Sequence, residues 1–377
     1  MKGFFNSVAD YIRECDKWLF VLCTLAGGYG CLAVLTSTRY LGNRRQFYTH
    51  IFTLLLGIIV VVVISHFDYI ICKKLWPIVA AATLIPVILT FFIGFAPAGT
   101  DDKAWLMLPG GTTFQPSELL KIGFIITFSL HLERVGEDLN KLKNLVPILL
   151  HGAFPVFLIH LQGDDGTAMI FAVIVVSLLF ISGLKKRYFA IFLGVILVAA
   201  PLIYFVVMTP EQRARVLLMF NMESDLQGGG WQQWRGRIAL ANGGFWGQGL
   251  FRGELTQTGV VPESFNDFIF VSIGEELGLA GCTIVLVILA SICLKILHTS
   301  TIAREKFGKY ICVGVFAMLL SQVVINLGMC LSLTPVIGVT LPFFSAGGTS
   351  MLCLFVSMGV VMSVYMHRNS RVMRIYD

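Results

Sequence analysis

The stretch FIFVSIGEELGLAGCTIVLVILASICLKIL, residues 268–297, decides the fold class because it stays apolar over more than the thickness of a bilayer. About 20 residues of helix cross the hydrocarbon core of a membrane, so this run is long enough to span it. It nevertheless contains Glu275 and Glu276, and it follows Asp267 and Glu263. Because carboxylates are expensive in lipid, each of these four acids needs a partner or a function.

The rest of the chain is equally apolar. Its 377 residues are 56% hydrophobic and only 13% charged, with a mean hydropathy of +0.81. A soluble domain cannot bury that much apolar surface, so the solvent of this protein is lipid. Further apolar runs occupy residues 18–37, 48–66, 75–95, 145–161, 167–184, 188–208, 310–335 and 342–367, and a shorter run, 117–132, carries Glu118 and Lys121.

These ten runs predict an all-α fold: a polytopic membrane protein of about ten transmembrane helices, in a single domain over residues 1–377. A long polar segment, residues 209–266, lies between spans 7 and 8. With both termini cytoplasmic, 18 basic residues fall on the inner side and nine on the outer side. Lys and Arg concentrate in cytoplasmic segments, so the contrast predicts cytoplasmic termini and an extracytoplasmic 209–266 loop.

The outer segments are polar and rich in glycine, whereas the inner connections are mostly short and basic, so we expect the work of this protein at the outer surface. Dissolved nucleotide donors are not expected outside the cell, so bond-forming chemistry there needs a substrate that is already activated, such as a lipid pyrophosphate. The nine cysteines show neither CxxC nor His/Cys metal spacing. We expect no organic cofactor and no nucleic-acid partner.

Two short motifs place polar groups at the ends of spans. FQPSELLK, residues 114–121, puts Glu118 and Lys121 on one helix face, where they either neutralise each other or line a polar cavity. QGDDGTA, residues 162–168, is typical of a turn, and Thr167 is placed to cap the helix that follows. Each motif alone is ordinary helix and turn chemistry.

LPFFSAGGTS, residues 341–350, combines a proline start, two glycines and three hydroxyl side chains, which suits close helix packing or exposed backbone donors. Asp267 stands before Phe-Ile-Phe, where an N-cap and a catalytic acid are equally consistent interpretations. The pair Glu275 and Glu276 needs partners within an apolar span, and Gly278 would let a neighbouring backbone approach.

In this order, FQPSELLK, QGDDGT, VPESFNDFIF with GEELG, and LPFFSAGGTS resemble the motifs of the SEDS family (shape, elongation, division and sporulation). The resemblance covers nearly the whole chain. It implies a bacterial plasma-membrane enzyme that polymerises lipid II at the outer leaflet, as the RodA and FtsW branches do. The acceptor's sugar 4-hydroxyl then attacks the donor's anomeric carbon, and undecaprenyl pyrophosphate leaves. Short tails, Phe344 and Thr349 favour the RodA-like branch, which serves cell-wall elongation.

By this resemblance the essential aspartate of the family falls on Asp267, which we interpret as a general base. The predicted substrate-binding residues are Arg45, Gln115, Glu118, Lys121, Asp164, Thr167, Glu263, Ser345, Gly347 and Gly348. Because pyrophosphate leaves as an anion, cations can replace the second carboxyl group that glycosidases need. We expect Lys121, Arg45 or a divalent cation, Mg²⁺ or Mn²⁺, to neutralise the charge on the leaving pyrophosphate. The sequence does not identify the metal ligands.

Two other functions fit polar groups inside a helical bundle. A lipid II flippase or transporter needs a polar path that continues to the inner face, whereas a non-catalytic scaffold needs only a partner synthase. Family members typically work with a class B penicillin-binding protein, a transpeptidase that crosslinks the new strands. We therefore expect such a transpeptidase as a partner, beside lipid II and membrane lipids.

Overall fold

The computed structural model of the chain describes residues 11, 13–96, 102–108, 112–218 and 230–369. Ten long helices occur in this part of the chain: α1 (Lys17–Ser37), α2 (Arg45–His66), α3 (Ile71–Ile93), α4 (Pro116–Val135), α5 (Leu142–His160), α6 (Asp165–Ile181), α7 (Lys186–Leu202), α11 (Ile269–Ile302), α12 (Lys306–Cys330) and α13 (Gly348–Met366). Three shorter helices precede α11, namely α8 (Pro210–Leu218), α9 (Trp231–Gly243) and α10 (Glu254–Gln257).

The all-α prediction with about ten spans is confirmed. Eight of the long helices are long and apolar enough to cross a membrane, and α6 is apolar but shorter. The remaining one, α4, carries the pair Glu118 and Lys121 in its first turns. Its start follows the sequence directly, because Pro116 has no N–H to lose at the first helical position.

One small sheet was not predicted. Strands β1 (Leu106–Leu108) and β2 (Thr112–Phe114) form an antiparallel hairpin in which Leu106 pairs with Phe114. The Thr349 hydroxyl donates a hydrogen bond to the Thr113 carbonyl over 3.3 Å, so the hairpin lies beside the start of α13. Three-residue strands carry too little alternation to be read from sequence.

The segment 209–266 between spans 7 and 8 contains ordered structure rather than a plain loop. Helices α8, α9 and α10 occupy much of it, and residues 219–229 lie outside the described residues. Helix α9 packs against α11, and the buried Gln233 donates a hydrogen bond to the Thr334 carbonyl over 2.9 Å. The segment is therefore tied to the bundle at both α11 and the connection after α12.

Helix α12 forms the centre of the bundle. It is apolar on nearly all faces and packs against α4, α6 and α11, as expected of a helix that is hydrophobic all round. Helices α2 and α13 make the closest pair, because Gly57 leaves room for the Phe355 ring. Helix α7, by contrast, buries none of its described side chains, so lipid or a partner covers it.

Helix α11 is broken at Gly278, whose φ of 66° lies in the left-handed region. The break frees four backbone groups, and the segment after α9 satisfies each of them. Gln248 and Gly249 donate N–H groups to the Glu275 and Glu276 carbonyls over 3.0 and 2.9 Å. The N–H groups of Leu279 and Ala280 donate to the carbonyls of Gly244 and Phe245 over 2.9 and 3.1 Å.

This contact confirms the prediction that Gly278 lets a neighbouring backbone approach. A Cβ atom at Gly278 would collide with the Gly247 nitrogen and the Phe245 oxygen. The acids that follow Ile273 therefore lie at a helix break that protein covers, not in the middle of an uninterrupted span. Irregular backbone of this kind is tolerated in membrane proteins only where protein or water satisfies it.

Candidate functional site

Asp267 lies in the turn that leads into α11 and does not cap that helix. The turn closes through the Glu263 carbonyl, which accepts hydrogen bonds from the N–H groups of Asn266 and Phe268 over 3.0 and 3.1 Å. Phe268 is the N-cap residue, and no side chain caps this helix end. The interpretation of Asp267 as an N-cap is therefore wrong, and its half-buried carboxylate accepts no hydrogen bond from any described residue.

The backbone of Asp267 is fixed by a residue that the sequence did not reveal. The fully buried Asn326, on α12, donates from its amide nitrogen to the carbonyls of Asp267 and Val339, both over 2.7 Å. The Cys330 thiol makes a longer contact of 3.5 Å with the same Asp267 carbonyl. Asn326 thus joins the Asp267 turn to the segment after α12.

The LPFFSAGGTS stretch, residues 341–350, forms hydrogen bonds with the same turn from the other side. The Ser345 hydroxyl donates to the Asn266 carbonyl and accepts from the Leu341 N–H, each over 2.8 Å. The Ala346 N–H donates to the Phe265 carbonyl over 2.9 Å. The Ser345 side chain therefore orders the backbone just before Asp267, and its role in substrate binding stays a prediction.

Backbone strain accompanies this clasp. Phe343 and Glu263, on the two sides of the contact, have φ values of 68° and 50°, which non-glycine residues rarely adopt. Strained backbone of this kind clusters at functional sites, because the surrounding structure must enforce it. The predicted Gly347 is the N-cap residue of α13, and Gly348 lies next to the side chains of Thr49 and Thr53 on α2.

Asp164 sits at the start of α6, where it takes the capping role predicted for Thr167. Its Oδ1 accepts from the Thr167 N–H over 2.9 Å, and its Oδ2 accepts from the Gln115 amide over 2.9 Å. The prediction that Thr167 caps this helix is wrong, because Asp164 is the N-cap residue and its side chain accepts the hydrogen bond from the Thr167 N–H. Gln115, Asp164 and Thr167 form one connected group through these two hydrogen bonds.

Glu118 and Lys121 form an ion pair with 2.6 Å between the Glu118 carboxylate and the Lys121 ammonium. Both side chains are buried, and that of Lys121 is only 1% exposed. Mutual neutralisation, one of the two predicted interpretations, is therefore part of their role. The lysine also faces Asp164 closely enough to lower the pKa of that carboxyl, although burial raises it overall.

The carboxylates at this end of the bundle act on one another. Burial, together with the charges of Glu263 and Asp164, raises the pKa of Asp267 to about 7. Gly338 lies next to the carboxylate, since a Cβ atom there would be 3.6 Å from its Oδ2. The site therefore combines a half-buried acid that accepts no hydrogen bond from the described residues with a buried acid and a buried ion pair.

The remaining predicted groups lie at the rim. Glu263 is exposed and accepts a hydrogen bond from the Asn266 amide over 2.8 Å, and Arg45 is exposed at the first residue of α2. In the part of the chain that the structure describes, no three His, Cys, Asp or Glu side chains form a metal-binding group. Mg²⁺ commonly takes one or two carboxylates and completes its shell with substrate phosphates and water, so Asp267 and Glu263 fit that mode.

Glu275 and Glu276 are occupied in holding the segment before α11. The fully buried Glu275 accepts from the N–H groups of Leu255 and Thr256 over 2.9 and 2.7 Å and from the Thr256 hydroxyl over 2.5 Å. Glu276 accepts from the Gln257 amide over 2.7 Å. The prediction that these acids need partners is confirmed: α10 supplies those of Glu275, and Glu276 is also hydrogen-bonded to the Thr36 side chain and the Phe251 backbone.

Comparison with known sequences supplies the context of this site. Residues 17–370 match the family FTSW_RODA_SPOVE, described as "Cell cycle protein". Peptidoglycan glycosyltransferase MrdB of Escherichia coli K12 is 34% identical over 286 residues, which cover 75% of this chain and 76% of that protein. The probable peptidoglycan glycosyltransferase FtsW of Geobacter metallireducens is 27% identical over 364 residues, which cover 94% of this chain and 96% of that protein.

Solved structures share the fold. A chain of a peptidoglycan synthase complex, described as coordinating polymerization and crosslinking, superposes with a TM-score of 0.81 at 24% identity, covering 94% of this chain and 99% of that one. The rod shape determining protein RodA of Thermus thermophilus superposes with a TM-score of 0.70 at 22% identity, covering 94% and 98%. The ten-helix bundle described above is therefore an established architecture.

Proposed function

This chain belongs to the SEDS family of FtsW, RodA and SpoVE proteins, and we propose that it is a peptidoglycan glycosyltransferase that polymerises lipid II at the outer leaflet of the bacterial plasma membrane. The acceptor's sugar 4-hydroxyl attacks the anomeric carbon of the donor with inversion, and undecaprenyl pyrophosphate leaves. We assign it to the RodA-like branch, which acts in cell-wall elongation and cell shape.

The observation that supports this proposal best is the state of Asp267. A general base must be accessible and within reach of the proton that it removes, and its pKa must lie near the working pH. The Asp267 carboxylate has no hydrogen-bond donor among the described residues, and its pKa is raised to about 7. Basic residues are in excess at the opposite end of the bundle, which would therefore be cytoplasmic. The Asp267 end would then face the outside.

In this mechanism Asp267 removes the proton of the attacking hydroxyl as the new bond forms. The turn around it is held by Asn326 and Ser345, so the carboxylate keeps one position while the two lipid-linked sugars approach. In this proposal Gln115 and Asp164, which are hydrogen-bonded to each other, would contact the sugar groups, and the exposed Glu263 would contact the entering substrate.

The leaving pyrophosphate needs positive charge rather than an acid. The exposed Arg45 would contact the anion directly, whereas Lys121, which is buried and paired with Glu118, would act on it only through its charge. A divalent cation, Mg²⁺ or Mn²⁺, would be held by the exposed Glu263, which leaves Asp267 free as the base, and would supply further charge neutralisation on the pyrophosphate. No step of the base chemistry depends on it.

A class B penicillin-binding protein is the proposed partner. The synthase complex that shares this fold is described as coordinating polymerization and crosslinking. Helix α7, which buries none of its described side chains, and the outer segment with α8–α10 are surfaces on which a membrane-anchored transpeptidase would dock. Membrane lipids cover the rest of the apolar exterior.

The test uses the purified full chain in detergent with lipid II and Mg²⁺ or Mn²⁺, and glycan strands are read on a gel. We expect strands from the wild-type chain without a partner and a yield lower by about 10²–10⁴-fold from Asp267→Asn. Strands of wild-type length from a folded Asp267→Asn protein would overturn the assignment of the base.

The same assay separates the two alternatives. Labelled lipid II that crosses proteoliposomes while no strand grows would favour a flippase over the glycosyltransferase. A chain that forms strands only when a partner synthase is added, with Asp267→Asn as active as wild type in that mixture, would favour a scaffold. The three functions give different products: strands from the chain alone, transported lipid II without strands, or strands only with the partner. One purified protein therefore serves to distinguish them.

A further inference from the structure

A groove that contains a few polar side chains lies at the basic end of the bundle, between α3, α4 and α5, away from the site around Asp267. It has a volume of about 300 Å³, and its polar lining comes from Trp76, Thr127, His131, Arg134 and His151, with Ala80 at one wall. Binding sites for small ligands begin at roughly this size. Helix α4 rises about 20 Å from Lys121 to Arg134, which separates the groove from the ion pair of the outer site.

Arg134 is the charged group of this groove. Its guanidinium lies over the Trp76 ring, 5.6 Å from the ring centre, and it is exposed. Within the described residues no carboxylate lies at ion-pair distance from it, whereas its neighbour Glu133 is paired with Lys73 over 2.7 Å. The groove therefore carries a positive charge that the protein does not neutralise.

Two histidines form the inner wall. Their Nδ1 atoms are 3.1 Å apart, so one ring carries its proton on Nδ1 and the other, when neutral, carries it on Nε2. The His151 ring packs edge-on against both the Phe124 and the Phe128 ring, with centroid distances of 5.7 and 5.3 Å, and those two rings stack on each other. Polar side chains at this depth of a membrane protein are costly and usually mark a functional site.

The surroundings of the groove are apolar. Near the lining residues in sequence, helices α3 and α5 expose large apolar side chains, including Ile78 and Leu150, which are 64% and 66% exposed. A ligand of the groove therefore combines an anionic head, which the guanidinium recognises, with long apolar chains that lie along α3 and α5. Basic pockets between transmembrane helices on the cytoplasmic side bind anionic lipid headgroups in this way.

We propose that this groove binds the phosphate of an anionic phospholipid of the inner leaflet, with Arg134 contacting the phosphate and the imidazole pair bordering the headgroup. The proposal does not depend on the glycosyltransferase activity, because the groove lies at the opposite end of α4. Arg134 with Trp76 is also consistent with a simple interfacial anchor, and the experiment must separate the two.

The experiment is native mass spectrometry of the detergent-purified full chain, incubated with equal amounts of phosphatidylglycerol and phosphatidylcholine of the same acyl chains. We expect the wild type to retain one phosphatidylglycerol in preference to phosphatidylcholine. Arg134→Gln is expected to lower that preference about tenfold, the size of one charge-assisted hydrogen bond. Arg187→Gln is the matched control, since Arg187 lies over the Tyr188 ring at the same end of the bundle without lining this groove.

A second variant tests the cavity without removing charge. Ala80→Phe fills the groove from α3 and is expected to lower the phosphatidylglycerol preference as much as Arg134→Gln does. Equal preferences in Arg134→Gln and Arg187→Gln, or an unchanged preference in Ala80→Phe, would mean that Arg134 is an anchor only and would overturn the proposal. Both variants must first elute as the wild-type species from size-exclusion chromatography, which keeps misfolding from imitating the expected loss.

Discussion

Asp267 and Glu275 are eight residues apart in one stretch of sequence, yet the structure gives them opposite environments. The Glu275 carboxylate is fully buried and accepts three hydrogen bonds from the start of α10. The Asp267 carboxylate is half-buried and accepts none from the described residues, and burial, together with the charges of Glu263 and Asp164, raises its pKa to about 7. One acid is held in a structural role, and the other is left available for chemistry.

The comparison shows that hydrogen-bond donors, rather than the apolar sequence context, separate a structural acid from a reactive one. Three hydrogen-bond donors occupy the Glu275 carboxylate and hold it against the start of α10. At Asp267 the protein instead binds the backbone, through Asn326 and Ser345, and leaves the side chain free. The following predictions test this contrast in order of expected size.

The largest effect is expected for Asp267→Asn. The amide is isosteric but cannot take a proton, so we expect polymerisation of lipid II to fall by about 10²–10⁴-fold. Because the native state binds the Asp267 proton more tightly than the unfolded state, ionised Asp267 destabilises the fold as pH rises from about 4 toward 7. Asp267→Asn should therefore unfold at a higher temperature than wild type, with a larger gain at pH 8 than at pH 5.

Glu275→Ala should give the opposite pattern. Two buried N–H groups, of Leu255 and Thr256, lose their acceptor, so the free energy of unfolding should fall by about 3 kcal/mol. Unfolding by SDS in mixed micelles measures the loss. The control is Glu254→Ala, because Glu254 is an exposed acid on α10, the helix that carries Leu255 and Thr256. This substitution should change stability little. A stable Glu275→Ala protein with greatly reduced turnover would place Glu275 among the reactive acids.

The pH dependence of turnover examines the raised pKa of Asp267 directly. The base works only when ionised, so the rate should fall about tenfold per pH unit below pH 7 and level off above it. The residual activity of Asp267→Asn should lack this limb. An acidic limb centred near pH 4 would mean that the carboxylate is better solvated than its burial indicates.

Asn326→Ala should reduce turnover by about tenfold with a smaller change in KM. The variant keeps the Asp267 carboxylate but removes both hydrogen bonds that fix its backbone and Val339, so the base loses its position rather than its chemistry. Cys330→Ala is the matched control, because its thiol contacts the same carbonyl only weakly over 3.5 Å. Equal effects of the two variants would indicate general loosening of α12.

The spans and the order of the motifs could be predicted because both depend on local sequence. Apolar runs of about 20 residues have few alternatives to a spanning helix. The acids and the lysine of the site were recognisable because charge in an apolar context is rare. The ion pair of Glu118 and Lys121 followed from their spacing on one helix face.

The position of Asn326 could not be predicted, because its partners lie 59 and 13 residues away and an amide in an apolar helix carries no charge to mark it. The break of α11 was equally hidden: a glycine in an apolar run is compatible with an unbroken helix, and only the segment after α9 makes the break favourable. The sequence could not decide which residue caps α6, because Asp and Thr are both favourable N-cap residues; in the structure the cap is Asp164.

The smallest effect is expected for Glu276→Gln, which neutralises the second acid of the pair without changing its shape. Glu276 accepts a hydrogen bond from the Gln257 amide over 2.7 Å, and the oxygen of a glutamine can accept the same bond. Burial also penalises the charged form, so its removal offsets part of any loss. We therefore expect turnover within about twofold of wild type and a change of less than about 1 kcal/mol in SDS unfolding. Because Asp267→Asn makes the same chemical change nine residues earlier, a loss of turnover in Glu276→Gln as large as in Asp267→Asn would contradict the division between the two regions.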